Sequence, residues 1–150
     1  MIFFKREKSA FDREGYPTIP LPTRNLDAAA FDMRSTIRIE IHPRAKVSIP
    51  LGFSMQVPPS TCGLLLPRSG LGAKHNIILA NTVGLIDPDY RGELTAILYN
   101  RSSKNPYLVE IGDRVCQLAI VPFCNMVAVE AEELSETTRG NSGFGSSGIE

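Results

Sequence analysis

The clearest regularity in the chain is an alternation of hydrophobic and polar residues with a period of two. From Val47 to Val57, every odd position is apolar and every even position is polar, small or proline. Successive side chains of a strand point to opposite faces, so this pattern predicts one continuous strand over residues 47–57 with one buried face. Residues 37–41 alternate in the same way. Shorter runs typical of strands lie at 64–66, 76–80, 94–99 and 115–123.

The prolines and glycines between these runs indicate the fold class. Eleven prolines and twelve glycines interrupt the chain, and no long stretch has the apolar stripe of a helix. We therefore expect an all-β sandwich, barrel or jelly roll with one short helix after Pro67. Its 150 residues suit one domain. We divide it into an extended N-terminal arm (1–25), a β domain (26–136) and a flexible C-terminal tail (137–150), whose small polar residues cannot build a core.

Charge and cysteine content narrow the function classes. Sixteen basic and sixteen acidic residues cancel, so no overall field favours nucleic acid or an anionic membrane. The three cysteines form no CxxC pair and the two histidines lie far apart, which argues against a disulfide framework or a zinc site. The apolar run at 1–4 is too short for a signal peptide or a spanning helix. We expect a cytoplasmic or equivalent reducing compartment.

A first candidate for chemistry is the segment PRSG at residues 67–70, which precedes a plausible helical turn at 71–75. Backbone amides at a helix start, the Arg68 guanidinium and the Ser69 hydroxyl together suit a phosphate group. In isolation a simpler interpretation is favoured, in which Ser69 caps the helix and Arg68 is a surface charge.

A second candidate is ANTVGLIDPDYRGE at residues 80–93, where two apolar runs flank Asp87, Pro88 and Asp89. Proline and aspartate favour turns, so the segment predicts a β-hairpin. Asp87 is then either a turn residue only or a carboxylate that faces a pocket and orients or deprotonates a water molecule.

The third candidate is the tail. Within residues 139–148, Arg139 supplies a cation, Phe144 an aromatic ring, Ser146 and Ser147 two hydroxyls, and four positions are glycine. Such a segment can fold over a nucleotide, with amides and hydroxyls on phosphates and the ring on the base. On composition alone, disorder is the simpler interpretation.

The order of these segments is more specific than any one of them. Five segments in sequence closely resemble the five ordered motifs of trimeric dUTP pyrophosphatases, and the likeness extends from Leu26 to Gly148. They are LDAAAFDMRS (26–35), PRSGLG (67–72), NTVGLIDPDYRGE (81–93), IGDRVCQL (111–118) and RGNSGFGSSG (139–148).

The resemblance implies a jelly-roll subunit in a homotrimer, with each active site built from all three chains. It implies that the chain hydrolyses dUTP to dUMP and pyrophosphate, limiting uracil in DNA and supplying dUMP. Asn81 and the backbone of Gly84, Leu85 and Ile86 would read the uracil edge and leave no room for a thymine methyl. Tyr90 would pack against the deoxyribose and exclude a 2′-hydroxyl.

For the reaction itself, the resemblance assigns catalytic roles to Asp87, Ser69 and Arg68. Asp87 matches the carboxylate that activates the attacking water for in-line displacement at the α-phosphate. Arg68, Ser69 and Gly70 match the phosphate-holding loop, with Ser69 at the oxygen that bridges the α and β phosphates, where negative charge grows.

The remaining positions match the metal environment and the closing tail. Mg²⁺ would arrive on the substrate phosphates with no direct protein ligand, and Asp32 and Gln117 are possible outer-shell contacts; Gln117 also matches a phosphate contact. The tail positions that match substrate contacts are Arg139, Phe144, Gly145, Ser146 and Ser147. Phe144 matches the ring that stacks on uracil.

Two other functions compete with dUTP hydrolysis. A dCTP deaminase shares the fold, but Ile97 occupies the position that resembles its glutamate, and isoleucine cannot move protons. The other is a non-catalytic protein that binds dUTP as a signal; Asp87, Ser69, Tyr90 and Phe144 are all intact, which argues against it. A turnover assay separates these possibilities.

Overall fold

Strands form nearly all of the regular structure, as the period-two pattern predicts. The structure, a computed structural model, describes residues 1–12, 14–15 and 18–141. Within this part of the chain lie eleven strands and one α-helix, with a short 3₁₀ turn at Lys8–Ala10. In chain order they are β1 Phe3–Arg6, β2 Ala30–Arg34, β3 Ile39–Ile41, β4 Lys46–Pro50, β5 Phe53–Gln56, β6 Thr61–Pro67, α1 Ser69–His75, β7 Ile77–Leu79, β8 Gly84–Ile86, β9 Thr95–Asn100, β10 Tyr107–Val109 and β11 Arg114–Pro122.

The strands pair in an order that differs from their order along the chain. One sheet has the order β2-β11-β6-β8, a second has β4-β9-β7, and β1-β5 and β10-β3 form two further pairs. Each ladder between these strands is antiparallel. Because strands that follow one another in sequence pair in different sheets, the chain crosses repeatedly between layers, as in a jelly roll. The predicted all-β jelly-roll fold with one short helix is confirmed.

The core lies between the two larger sheets. Met33, Leu65 and Leu118 from the four-stranded sheet and Ile49 and Leu98 from the three-stranded sheet belong to one hydrophobic cluster, and each is at most 2% exposed. Burying an aliphatic side chain of this size contributes roughly 1.5–3 kcal/mol relative to leaving it exposed. This packing holds the sheet ends that support the candidate site. No helix in the described ranges is long and apolar enough to cross a membrane.

The single strand predicted over residues 47–57 is wrong in one respect, because it is two strands. Gly52 interrupts it with a φ of +79°, a backbone conformation that only glycine adopts readily. The chain bends there, so β4 pairs with β9 while β5 pairs with β1. The strict alternation continues through the bend because Leu51 and Phe53 are both buried on its two sides.

We expect Gly52→Ala to destabilise the fold by about 2–4 kcal/mol, from left-handed backbone strain and overpacking together. A methyl group at Gly52 would lie 2.8 Å from Ala10 Cβ and 2.9 Å from Thr36 Cγ2. Chemical denaturation measures the loss. Gly72→Ala is the matched control, because its nearest neighbours lie at 3.9 Å and alanine is favoured in a helix. Equal stability of the two variants would contradict this account of the bend.

The first 25 residues are more closely integrated than an arm that only runs over the surface. β1 pairs with β5 from Phe3 to Arg6, and Ala10 and Ile19 are buried. Ser54, a polar position of the alternating pattern, is buried beneath this segment and donates a hydrogen bond to Glu7 Oε1 at 2.7 Å. This hydrogen bond is the largest cause of a lowered Glu7 pKa. The division of the chain at residues 25 and 136 stays a prediction.

Candidate functional site

The loop between β6 and α1 brings Arg68, Ser69 and Gly70 to the end of a strand. Arg68 is extended (φ −84°, ψ 127°) and is the residue before the helix, with no side-chain capping hydrogen bond. Ser69 is the first helical residue, so the interpretation of Ser69 as the cap is wrong. Both Ser69 and Gly70 are exposed. The hydroxyl of Ser69 is therefore placed where a ligand can reach it.

Arg68 also differs from a simple surface charge, because it lies in a cluster with Asp32 and Arg114. Its Nη1 donates to the Arg114 carbonyl at 2.9 Å, and its Nε lies 3.7 Å from Asp32 Oδ1. Arg114 Nη1 donates to Asp32 Oδ2 at 3.2 Å. One carboxylate thus holds two guanidinium groups in place at the end of β6, where they can bind an anion.

Asp32 retains an unused acceptor. Its Oδ1 is buried and accepts no hydrogen bond, since the 3.7 Å approach of Arg68 is an ion pair beyond hydrogen-bond distance. Gln117 lies directly opposite Asp32 in the β11-β2 ladder. Both residues line a cleft of about 370 Å³, which we call the arginine cleft, together with Arg24, Arg34 and Arg114. A buried acceptor without a partner fits a hydrogen-bond donor such as a metal-bound water.

Arg34 and Arg114 are two residues of this cleft that the sequence analysis missed. They lie within two of the quoted motifs, but an arginine on a strand carries no signal of its own. Arg34 Nη1 donates to the Gly112 carbonyl at 2.6 Å. Arg34, Arg68 and Arg114 also line an adjoining pocket of about 290 Å³. Three guanidinium groups at adjoining cavities suit a highly charged anion.

Cys116 lies beneath the same cluster without taking part in its chemistry. Burial raises the pKa of its thiol to about 12, with the Asp32 carboxylate as the next cause. A thiol with this pKa stays protonated at neutral pH and is a poor nucleophile.

The second candidate segment, residues 80–93, forms the predicted turn, but its two flanking strands do not pair with each other. The Tyr90 amide donates to the Asp87 carbonyl at 3.2 Å, and Arg91 Nη1 donates to the Pro88 carbonyl at 2.7 Å. The flanking strands belong to different sheets, because β8 pairs with β6 while β9 pairs with β4 and β7. The predicted β-hairpin is therefore wrong. Turn residues indicate that the chain reverses, but they do not indicate which strands pair.

The reversal creates a small cleft, which we call the tyrosine cleft. Its volume is about 230 Å³, and Leu85, Ile86, Asp87, Tyr90 and Glu93 are among the residues that line it. Asp87 is exposed, so its carboxylate can accept a proton or orient a water molecule. The cleft thus combines an acidic group with one aromatic face.

The strand beside this cleft offers its backbone as well. β8 is at the edge of its sheet, so among the described strands one side of Gly84–Ile86 has no ladder partner. Gly84 packs closely, since a Cβ there would lie 3.2 Å from Leu65 Cβ and 3.6 Å from Asn81 Nδ2. Asn81 and the backbone of Gly84 therefore lie close together, and their base-reading role stays a prediction.

Within one chain, the two clefts are far apart. Ile86 pairs with Gly63 near the start of β6, whereas Arg68 follows the end of the same strand. A strand rises about 3.3 Å per residue, so the chain from Gly63 to Arg68 spans roughly 17 Å. The structure brings Arg68 together with Asp32 and Gln117, and Asp87 together with Tyr90, but it does not bring the two groups together.

The tail is the third candidate. Arg139 is exposed. Phe144, Gly145, Ser146 and Ser147 lie outside the described residues, so their roles stay predictions.

Comparison with known proteins gives a consistent result. A family model described as dUTPase matches residues 17–148. The chain is 44% identical over 133 residues to the deoxyuridine 5'-triphosphate nucleotidohydrolase of Histophilus somni (strain 2336), covering 86% of this chain and 87% of that protein. It is 43% identical over 135 residues to the protein of the same name from Gamma-proteobacterium EBAC31A08, covering 87% and 96%.

Solved structures agree with this. The dUTPase of Staphylococcus bacteriophage 80alpha, determined with dUPNHPP, has a TM-score of 0.82 and 27% identity over 99% of both chains. A mutant dUTPase from phage phi11 of S. aureus, described with a structural Mg(II) ion, has a TM-score of 0.77 and 21% identity over 91% of this chain and 99% of that one. At this identity the second likeness shows the fold alone.

Proposed function

The chain belongs to the dUTPase family and is thus an enzyme of the dUTP diphosphatase class, and from this premise we propose that it hydrolyses dUTP to dUMP and pyrophosphate. The observation that carries the proposal is the tyrosine cleft, where the Asp87 carboxylate, the Tyr90 ring and the open backbone edge of β8 lie together. A carboxylate, an aromatic face and fixed backbone donors and acceptors are what a nucleoside and a reactive water require.

Base selection is proposed for the backbone of Gly84, Leu85 and Ile86 with Asn81. Backbone groups held in a ladder on one side cannot shift to accommodate a different hydrogen-bond pattern. A misfit therefore leaves polar groups unpaired, which is a strong basis for discrimination. Because Gly84 packs against Leu65, this wall has little freedom to move away from an extra methyl group.

Tyr90 is proposed to select the sugar. Its side chain lines the cleft and is 45% exposed, so one ring face is available to a ligand. A ring that packs flat on C2′ of deoxyribose leaves no space for a ribose hydroxyl.

For the chemical step, we assign the water-activating role to Asp87 and the phosphate-holding role to Arg68, Ser69 and Gly70. Asp87 accepts a proton from water as it attacks the α-phosphorus in line with the departing pyrophosphate. Negative charge grows on the oxygen between the α and β phosphates, where the Ser69 hydroxyl donates a hydrogen bond. Arg68 compensates charge on the same phosphates.

Mg²⁺ is proposed to bind through the substrate phosphates. Residues 1–12, 14–15 and 18–141 contain no cluster of three His, Cys, Asp or Glu side chains that could hold a metal ion. The buried, unpaired Oδ1 of Asp32 and the neighbouring Gln117 fit contacts to metal-bound water. When bound, the ion would neutralise phosphate charge; Asp32 and Gln117 would orient its waters.

A homotrimer is proposed because one chain cannot complete the site. Asp87 and Arg68 must reach the same phosphate, but about 17 Å of β6 separates their positions along the strand. A second copy of the chain can supply the missing group. Chain association is also supported by the segment after β11, where Met126, Val127, Val129 and Leu134 are each more than 80% exposed.

Closure of the site is proposed for the tail, in which Arg139, Ser146 and Ser147 contact phosphates, Gly145 lets the chain approach closely, and Phe144 stacks on uracil. In the cell, the reaction would limit uracil in DNA and supply dUMP. All three cysteines, Cys62, Cys116 and Cys124, are free thiols, which suits a reducing compartment such as the cytoplasm.

The proposal predicts strong substrate selectivity. With Mg²⁺ present, pyrophosphate should be released rapidly from dUTP, while dTTP, dCTP and UTP should each have a kcat/KM lower by about 10²-fold or more. The measurement is pyrophosphate release across this panel with and without Mg²⁺. Ammonia release from dCTP would support deamination instead, and binding of dUTP without turnover would support a signalling role.

A further inference from the structure

The orientation of the Tyr90 ring depends on Gly92 and Glu93, which follow it in the chain. Its hydroxyl donates a hydrogen bond to the Glu93 carbonyl at 3.2 Å. The ring also lies against Gly92, where an added Cβ would come within 2.6 Å of Tyr90 Cζ. The ring is therefore placed by backbone atoms of residues 92 and 93, and any shift of that backbone moves the ring.

The backbone at Glu93 is in turn held by its own side chain. Glu93 Oε1 accepts a hydrogen bond from the Gly52 amide at 3.0 Å and another from the Ser9 hydroxyl. The carboxylate is part-buried between the bend at Gly52 and the N-terminal segment. Hydrogen bonds to a charged acceptor are about twice as strong as neutral ones, so this is a firm attachment.

Both donors lie where the N-terminal residues pack against the bend at Gly52. The Glu7 amide donates to the Gly52 carbonyl at 2.9 Å, and Ala10 packs directly against Gly52. The next residue, Leu94, is completely buried and donates to the Phe53 carbonyl at 2.8 Å. Glu93 thus joins the exposed Tyr90 segment to the N-terminal segment and the core.

From these contacts we infer that Glu93 is a positioning residue for Tyr90, and that Ser9 makes the N-terminal segment part of the sugar-selecting apparatus. The inference rests on the proposed role of Tyr90 as the sugar filter. Glu93 contacts no reacting atom in this account. Its carboxylate fixes the carbonyl to which the Tyr90 hydroxyl is bound, and a ring fixed in this way has no freedom to yield to a 2′-hydroxyl.

The test compares kcat/KM for dUTP, UTP and dTTP in the wild-type protein, Glu93→Ala, Glu93→Gln and Ser9→Ala. Alanine removes the acceptor, so we expect the preference for dUTP over UTP to fall by roughly tenfold or more, since small displacements of positioning groups have large kinetic effects. The preference for dUTP over dTTP should not change, because it depends on β8. Glutamine retains an acceptor oxygen and should restore most of the sugar preference.

Glu110→Ala is the matched control, since Glu110 forms an exposed ion pair with Arg38 and lines neither cleft. Ser9→Ala removes one of the two donors to Glu93, so it should also lower the preference for dUTP over UTP, by a smaller factor. This variant decides the question if Glu93→Ala does not fold. A wild-type enzyme that accepts UTP as readily as dUTP would refute the sugar filter itself. A selective wild type whose selectivity is unchanged in folded Glu93→Ala, or in Ser9→Ala where Glu93→Ala does not fold, would refute only the positioning role.

Discussion

Asp87→Asn is expected to lower kcat for dUTP by about 10²–10⁴-fold, the range typical of a lost general base. Asparagine has the same size and retains a carbonyl acceptor, but it cannot take a proton from the attacking water. The Asp87 side chain is exposed, and the turn hydrogen bond at this position is made by its backbone carbonyl. Folding and dUTP affinity should therefore be preserved. Single-turnover kinetics and a binding titration separate the two quantities.

Asp89→Asn is the control for this variant. Asp89 lies in the same exposed turn and carries the same charge, but Asp87 is the aspartate that lines the tyrosine cleft. If the loss of a negative charge at the turn caused the fall in kcat, Asp87→Asn and Asp89→Asn would be equally impaired. Near-normal turnover in Asp87→Asn would mean that another group activates the water.

The sequence predicted strands well where burial alternates, and less well where the structure departs from a simple two-faced strand. The periodic run over 47–57 identified which side chains are buried, including Ile49 and Phe53. It could not show the bend at Gly52, because that bend depends on backbone conformation and leaves the alternation intact. Ser54 is buried against the pattern, where it donates a hydrogen bond to Glu7. Glu7 follows β1, and a strand of only four residues gives little signal in the sequence.

The same limit applies to the candidate site. Residue types and their order single out Arg68, Ser69, Asp87 and Tyr90 as candidates, because motif order can be read directly from the sequence. The sequence does not show which of these residues lie close together in space, since that depends on strand pairing. The sequence predicts a hairpin with the next apolar run, but β8 pairs with β6 instead. This pairing places Asp87 near the start of β6, whereas Arg68 follows its end. This separation has a direct experimental consequence.

Co-expression of Asp87→Asn with Arg68→Ala is expected to restore activity that neither variant has alone. If each site takes Asp87 from one chain and Arg68 from another, random assembly gives both native residues to roughly a quarter of the sites. Activity should then reach roughly a quarter of the wild-type value, since the site needs one intact copy of each residue. Purification through two different tags, followed by a turnover assay, measures this for the mixed assembly.

The decisive control pairs Asp87→Asn with a chain that carries both substitutions. Every chain in that mixture lacks Asp87, so no site can be complete and activity should stay at the level of the single variant. Restoration only in the first mixture requires that the two residues come from different chains, because a site within one chain would be defective in every copy. Absence of restoration in a mixed assembly of normal size would place both residues in one chain's site, and the roughly 17 Å of β6 between them would then have to be closed by a rearrangement.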